Sequence, residues 1–177
     1  NNWRNRRIRL VNGNRKINGL AEVADGYDTY LVDQWGVLHN GHASYKPAIE
    51  VMSRLKGAGK SLIILSNSSR RAETTRRNMA QMAIDHSLFD TIATSGEEVW
   101  QALHKREDNF YRNLGRRCIV FQWGKDNDFF DALDLDPTDD IEEAEFILLN
   151  GTERDKFPSY EPILYRAVER GLPMVCS

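Results

Sequence analysis

Short apolar runs alternate with segments of helical spacing along the first half of the chain. Ala48, Met52 and Leu55, for example, recur at the interval of one helix face. Ser95, with Glu98 three residues on, predicts a capping box for the last helix of this half. Strands and helices that alternate through short links are typical of a parallel sheet. The predicted elements are strands at 29–33, 61–65 and 89–94 and helices at 19–24, 46–56, 74–83 and 97–105.

The pattern restarts after Gly115 and predicts a second α/β unit. Asp139 and Asp140 lie in a polar run of this unit, which we interpret as a solvent-exposed loop and helix start. A chain of 177 residues is long enough for one domain or two small ones. The predicted elements are strands at 117–122, 146–149 and 173–176 and helices at 127–133 and 160–170.

The composition is that of an ordinary globular α/β protein. Hydrophobic residues make up 41% of the chain and charged residues 28%, and the net charge of −2 gives no overall attraction to nucleic acid. Cys118 and Cys176 lie in apolar runs without metal-site spacing, so we expect buried free thiols and a reducing compartment. No run is long enough for a transmembrane helix and no apolar signal region opens the chain. The interpretation is a cytoplasmic protein whose partners include neither nucleic acid nor a membrane.

The first 18 residues are strongly basic, in contrast to the rest of the chain. A nucleic-acid arm, a targeting segment or a vector-derived leader would share this composition. No helical stripe accompanies the charges, which favours a poorly ordered leader at 1–18. The basic residues are Arg4, Arg6, Arg7, Arg9, Arg15 and Lys16.

Asp33 is the first candidate for chemistry. It ends the apolar run Tyr30-Leu31-Val32, and Gly36 follows three residues later. This arrangement predicts a carboxylate at the carboxyl end of a central strand, at the edge where open α/β sheets bind ligands. Aspartate after a strand also caps helices and starts turns, so this pattern alone leaves the plain structural role open.

Ser66 and Asn67 form the second candidate, between the strand at 61–65 and the next helix. Free N–H groups and the helix dipole favour an anion such as phosphate at such a junction. A simple helix cap is the alternative. Two strand ends, one with a carboxylate and one with hydroxyls, together favour phosphoryl transfer over two unrelated caps, with Asp33 expected close to Ser66.

The segments YLVDQWGVLHNG and LIILSNSSR resemble the first two motifs of the haloacid dehalogenase (HAD) superfamily, in particular its class IIA, NagD-like phosphatase branch. The resemblance implies a Rossmann-like parallel-sheet core and an inserted α/β cap, which we assign to 19–107 and 108–177. It also implies a Mg²⁺-dependent hydrolase that forms an aspartyl-phosphate intermediate from a small phosphorylated metabolite. A homodimer formed through the cap is a further option, since NagD-like relatives often pair in this way.

The resemblance assigns roles to four residues of this sequence. Asp33 would be the catalytic nucleophile and a metal ligand, and the backbone carbonyl of Trp35 would be a second metal ligand. Ser66 and Asn67 would bind the phosphate. The substrate would be selected by the cap, whose strand ends carry Trp123 and the run Asn150-Gly151-Thr152.

Trp35 departs from the family pattern, which has a second aspartate at this position. That aspartate is the family's general acid and base, a role typically worth about 100- to 10,000-fold in rate. His39 and His42 are the nearby candidates for proton transfer, although a loop histidine is more often a solvated surface residue. The family's third and fourth motifs, a lysine and an acidic pair after the cap, are not found after residue 150. We therefore interpret the chain as the amino-terminal part of a larger enzyme.

Two alternatives follow from Trp35. One is a catalytically impaired HAD-fold protein that binds a phosphorylated ligand or a partner. The other is HAD chemistry that needs no protonation of the leaving group, for example on an acyl phosphate. Neither the substrate nor the oligomeric state can be read from the sequence.

Overall fold

Two parallel β-sheets follow one another along the chain in the computed structural model, which describes residues 16–124 and 128–177. The fold is α/β with parallel strands, as predicted. The first sheet has the order β1-β2-β3. Its elements are β1 (Thr29–Val32), α1 (Lys46–Gly57), β2 (Ser61–Ser66), α2 (Ala72–Gln81) and β3 (Thr91–Thr94), with short 3₁₀ helices at Leu20–Glu22, Ala24–Gly26 and His86–Leu88.

The second sheet has the order β5-β4-β6-β7. Its strands are parallel where they pair, and β4 and β6 form its longest ladder, from Cys118↔Phe146 to Gln122↔Asn150. The elements are α3 (Ser95–Lys105), α4 (Asn109–Arg112), β4 (Arg117–Gln122), β5 (Asp136–Pro137), β6 (Phe146–Asn150), a 3₁₀ helix at Arg154–Lys156, α5 (Phe157–Glu169) and β7 (Met174–Cys176).

The core of the first sheet lies on the face that α1 and α2 cover. Leu62 and Ile64 alternate along β2 and are fully buried against Met52 of α1 and Met79 of α2. The opposite face is open among the described residues, where the Leu65 side chain is 49% exposed. This arrangement follows from the strand period of two, which sends neighbouring side chains to opposite faces.

The second sheet is covered on both faces. Cys118 and Phe146 point to one side, where they pack with Val99 of α3. Alternate residues, such as Phe121, point to the other side and pack with Ala167 of α5. A parallel sheet that is buried on both faces explains the continuous apolar runs at 118–121 and 146–149 in the sequence.

The helix α3 packs with the second sheet, since its buried residues Val99 and Leu103 belong to the same cluster as β4 and β6. Its cap lies one residue earlier than predicted: Thr94, not Ser95, is the N-cap, and its Oγ1 accepts a hydrogen bond from the Glu97 N–H over 3.0 Å. The domain boundaries at 19–107 and 108–177 stay predictions, although these contacts group α3 with the second unit.

Several local predictions need correction. Residues 128–132 form turns and a bend where a helix at 127–133 was expected; 127 lies outside the described residues. Asp139 and Asp140 lie in an exposed loop, as predicted, but no helix starts there. Cys118 and Cys176 are free; Cys118 is buried, whereas Cys176 is exposed, contrary to expectation. The short elements α4 and β5 were not predicted.

The basic leader lies largely outside the described residues, since residues 1–15 are not described and Lys16 is exposed. Over the described ranges, no helix is both long and apolar enough to cross a membrane.

Candidate active site

Asp33 follows the last residue of β1, and its side chain is exposed at the carboxyl end of the strand. Its Oδ1 accepts a hydrogen bond from the Gln34 N–H over 2.7 Å, which leaves Oδ2 without a protein donor among the described residues. The expectation of a central strand is wrong for the described sheet, because β1 is at its edge and β2 lies in the middle.

The loop after Asp33 turns back sharply. Gly36 has a φ of +78°, a conformation that glycine adopts without strain, and its N–H donates to the carbonyl of His39 over 2.8 Å. The Leu38 N–H donates to the carbonyl of Gln34 over 2.8 Å. This loop buries Leu38 in the core of the first sheet and leaves the Asp33 side chain exposed.

Ser66 ends β2 next to Asp33, as predicted. Val32 pairs with Ile64, so Asp33 lies level with Leu65 and one residue short of Ser66. The side chain of Gln34 joins the two strand ends, because its Nε2 donates to Ser66 Oγ over 2.7 Å. The Ser66 hydroxyl is buried at 8% exposure and also accepts a hydrogen bond from the Ser68 N–H over 3.1 Å.

His39 is buried at 5% exposure, so the expectation of a solvated side chain is wrong for it. Its Nδ1 accepts a hydrogen bond from the Gly41 N–H over 3.0 Å, and its Nε2 lies 3.4 Å from Gln34 Oε1. Burial lowers the pKa of His39, although the charge of Asp33 acts in the opposite direction. Both ring nitrogens are therefore engaged within the loop, which is a structural role. His42 is exposed.

Trp35 does not fill the place of a buried acid. Its indole is 67% exposed and stands edge-on to the His39 ring, with 5.9 Å between ring centroids. It also covers Gly41, which has a φ of +89° and where an added Cβ would lie 2.4 Å from two indole carbons. The carbonyl of Trp35 accepts none of the backbone hydrogen bonds that hold the loop. Within residues 16–124 and 128–177 this carbonyl is therefore available to bind another group.

The loop after Ser66 is held by the N-terminus of α3. The Gly96 N–H donates to the carbonyl of Ser68 over 3.0 Å, and the backbones approach so closely that a Cβ on Gly96 would lie 1.9 Å from the Ser69 oxygen. Thr94 Oγ1 donates to the carbonyl of Arg70 over 2.6 Å. Asn67 is exposed in this loop, and its N–H has no acceptor within the described part of the chain.

Arg71 and Glu97 form a partly buried ion pair in this region. Arg71 donates two hydrogen bonds to the Glu97 carboxylate, over 2.7 and 3.3 Å, and its guanidinium carbon lies 3.6 Å from the centroid of the Trp100 ring. Burial raises the pKa of Glu97, but hydrogen bonds from Arg71, Gln101 and the Ala72 N–H outweigh it, so the pKa is lower than usual. The pair ties the start of α2 to α3.

The carboxyl ends of the two sheets meet next to this loop. Arg70, after β2, places its guanidinium 5.1 Å from the centroid of the Trp123 ring, which follows β4. Gly151, after β6, has a φ of +109° and approaches the Trp123 backbone closely. Asn150 is buried and accepts a hydrogen bond from Ser177 Oγ over 2.8 Å. Among residues 16–124 and 128–177, no three side chains of His, Cys, Asp or Glu converge on a common metal position.

A model of the haloacid dehalogenase-like hydrolases matches residues 30–136, which include both strand ends of the site. The chain belongs to this family. No curated protein matches the chain.

Solved structures of this family share the fold. A haloacid dehalogenase-like hydrolase from Brucella suis 1330 is 26% identical, with a TM-score of 0.75 over 88% of this chain and 57% of its own length. A 4-nitrophenylphosphatase from Thermotoga maritima is 23% identical, with a TM-score of 0.57 over 87% and 56%. A structure that carries the NagD name is 20% identical, with a TM-score of 0.59 over 86% and 56%. These structures show that the chain has their fold, and the chain spans less than two thirds of their length.

The structure brings Asp33, Trp35, Ser66 and Asn67 together at the carboxyl ends of β1 and β2 in this HAD-family chain. Their roles remain predictions. Sequence reasoning missed Gln34, whose buried side chain joins the two motifs. No local signal marks it, because a glutamine between Asp33 and a glycine turn predicts a solvated side chain.

Proposed function

We propose that the full-length protein is a Mg²⁺-dependent phosphatase that acts on a small phosphorylated metabolite, with Asp33 as its nucleophile. The observation that carries the proposal is the link between the two strand ends, where Gln34 donates to Ser66 Oγ over 2.7 Å beside Asp33. A carboxylate and a phosphate-binding hydroxyl thus share the edge at which open α/β sheets bind ligands. The activity named for the similar protein from Thermotoga maritima supports this reaction class.

The phosphate would be held by Ser66 and Asn67. The Ser66 hydroxyl can donate a hydrogen bond to a phosphate oxygen, and the Asn67 N–H is available in the same loop. This loop precedes α2, whose N-terminus carries the positive end of the helix dipole. The three groups favour a bound dianion over water at this position.

Two oxygen atoms fit a magnesium ion at the same edge. Asp33 Oδ2 has no protein donor among the described residues, and the Trp35 carbonyl has no role in the loop's backbone hydrogen bonds. Mg²⁺ prefers oxygen ligands and keeps several waters, so one carboxylate and one carbonyl make a partial ligand set of the right chemistry. The ion would supply charge neutralisation as the nucleophile approaches the phosphate.

The reaction would proceed in two displacements. A carboxylate oxygen of Asp33 attacks phosphorus, the bond from phosphorus to the leaving oxygen breaks, and that oxygen departs with the bonding electrons. Water then attacks the phosphorus of the aspartyl phosphate, and the bond from phosphorus to the Asp33 oxygen breaks. Orthophosphate leaves with the protons of the water, and the Asp33 carboxylate is restored. Trp35 offers no proton to the leaving oxygen, so substrates with good leaving groups should react best.

A phosphatase assay on the full-length protein tests this function. We expect turnover of p-nitrophenyl phosphate with Mg²⁺ and none after chelation. Asp33→Asn should abolish turnover and keep the fold, because an amide is a poor nucleophile and a poorer metal ligand. Asp28→Asn, at the opposite end of β1, is the matched control and should stay active. Turnover by Asp33→Asn, or phosphate binding by the wild type without any turnover, would contradict the proposal.

We also infer a cytoplasmic location from the sequence, and a homodimer formed through the cap from the resemblance to NagD-like proteins. Light scattering after size-exclusion chromatography tests the dimer, and a monomeric mass at micromolar concentration would exclude it. Cell fractionation tests the location.

A further inference from the structure

We propose that Gln34 is a positioning residue that directs the hydroxyl proton of Ser66 toward a bound phosphate. The inference rests on the proposed function, since it assumes that Ser66 contacts the phosphate. It assigns a role to a side chain that lies next to Asp33 in the sequence but is buried at 8% exposure, whereas Asp33 is exposed.

The hydrogen bonds of Ser66 carry the first step. A serine hydroxyl has one proton to donate and two lone pairs that accept. Both acceptor positions are used, one by Gln34 Nε2 at 2.7 Å and the other by the Ser68 N–H at 3.1 Å. The hydroxyl therefore has only its donor function left, which is the function that an anionic oxygen requires.

The orientation of the Gln34 amide carries the second step. His39 Nδ1 accepts from the Gly41 N–H, so in the neutral ring the proton is on Nε2, which faces Gln34 Oε1 at 3.4 Å. This contact directs the amide oxygen toward His39 and the NH₂ group toward Ser66. A reversed amide would present its oxygen to Ser66 and take the hydroxyl proton away from the phosphate.

The contrasting interpretation is a glutamine that merely fills space with its polar atoms satisfied. It predicts a loss of stability when Gln34 is replaced, independent of Ser66. The positioning role predicts instead that Gln34 matters to phosphate only while the Ser66 hydroxyl is present. Because the two residues are in direct contact, a double-mutant cycle separates the interpretations.

The experiment uses the full-length protein with Mg²⁺ and compares Gln34→Met, Ser66→Ala and the double variant with the wild type. Methionine keeps the length of the side chain and removes its hydrogen bonds. The readouts are kcat and KM for p-nitrophenyl phosphate, the inhibition constant of inorganic phosphate, and the thermal unfolding midpoint. Gln81→Met, an exposed glutamine at the end of α2, is the matched control and should leave all of them unchanged.

We expect Gln34→Met to weaken inhibition by inorganic phosphate about fivefold to tenfold, the scale of one lost hydrogen bond. In the Ser66→Ala background, the same replacement should change the inhibition constant by less than about twofold. Equal losses in both backgrounds, or a lower unfolding midpoint with an unchanged inhibition constant, would overturn the positioning role.

Calorimetric titration with inorganic phosphate tests the inference independently of turnover. If Gln34→Met folds poorly, Gln34→Glu replaces it in the same titration. A wild type that binds phosphate without turnover refutes the proposed function alone, and the cycle is then read from the dissociation constants. A wild type that neither binds nor turns over refutes both proposals.

Discussion

Replacing Arg71 with methionine should destabilise the protein, and the loss should shrink at acidic pH. Arg71 lies where α2 begins, and its hydrogen-bonded partner Glu97 lies in the first turn of α3. Methionine keeps most of the aliphatic volume of the arginine side chain, so the packing of that part is largely retained. What is lost is the guanidinium, with its two hydrogen bonds and its stacking on the indole.

The structure sets the size of the effect. The Arg71 and Glu97 side chains are 20% and 18% exposed, which places the pair between a buried and a surface ion pair. Breaking a buried pair costs about 3–5 kcal/mol, and an exposed pair contributes about 1 kcal/mol or less. We expect the free energy of unfolding to fall by about 2–3 kcal/mol at pH 7, of which about 1 kcal/mol comes from the contact with the ring.

The pH dependence follows from Glu97. Its pKa in the folded protein is below its usual value of 4.5, so its contribution to stability is present above pH 4.5 and is lost as the pH falls through the folded pKa. Without Arg71 the pKa of Glu97 in the folded protein rises, because the hydrogen bonds and charge of Arg71 no longer oppose the effect of burial. The variant therefore loses less stability on acidification than the wild type, and the difference between their free energies of unfolding becomes smaller.

Urea unfolding of the full-length protein at pH 7 and pH 4 measures both the loss of unfolding free energy and its dependence on pH. Arg76→Met is the matched control. Arg76 forms a surface pair with Glu73 at 3.5 Å, and its guanidinium carbon lies 5.8 Å from the centroid of the Phe89 ring, so its loss should cost about 1 kcal/mol or less. A loss at Arg71 no larger than at Arg76, or a loss that is the same at both pH values, would refute this reasoning.

Three further predictions concern Trp35, Gly41 and Ile64. The wild type should hydrolyse aryl phosphates faster than alkyl phosphates, and Trp35→Asp should raise the alkyl rate more than the aryl rate; equal initial rates on both classes would count against this. Gly41→Ala should lower stability by about 1–2 kcal/mol in urea unfolding, through the φ of +89° and the contact with the Trp35 ring, and by less in a Trp35→Ala background. Ile64→Ala should cost about 2–5 kcal/mol by the same measurement, because Ile64 is fully buried, and a cost below 1 kcal/mol would show that the site collapses without a cavity.

The strands could be predicted because each contains a short apolar run. The strand predicted at 117–122 coincides with β4, and its central residues 118–121 are all apolar because the sheet is covered on both faces. The helix expected at 127–133 failed in its described part, where tertiary contacts hold Phe129 and Phe130 in turns. Local spacing carries no information about such contacts.

The site could be predicted only in part. Asp33 and Ser66 are recognisable because each ends an apolar run, and two adjacent parallel strands must bring such ends together. Gln34 and His39 are not, because their burial depends on a loop that turns back under the sheet edge at Gly36. Hydrophobic periodicity describes strands and helices, and it does not extend to the conformation of a loop.

The close approach of Gly96 to Ser69 couples two parts of the protein mechanically. Gly96 belongs to α3, which packs with the second sheet, whereas Ser69 belongs to the loop that follows Ser66. A displacement of α3 that separates Gly96 from Ser68 would break the hydrogen bond between them and so disturb that loop. By linkage, a ligand that stabilises the loop in its present conformation also stabilises the present position of α3 and of the sheet that moves with it.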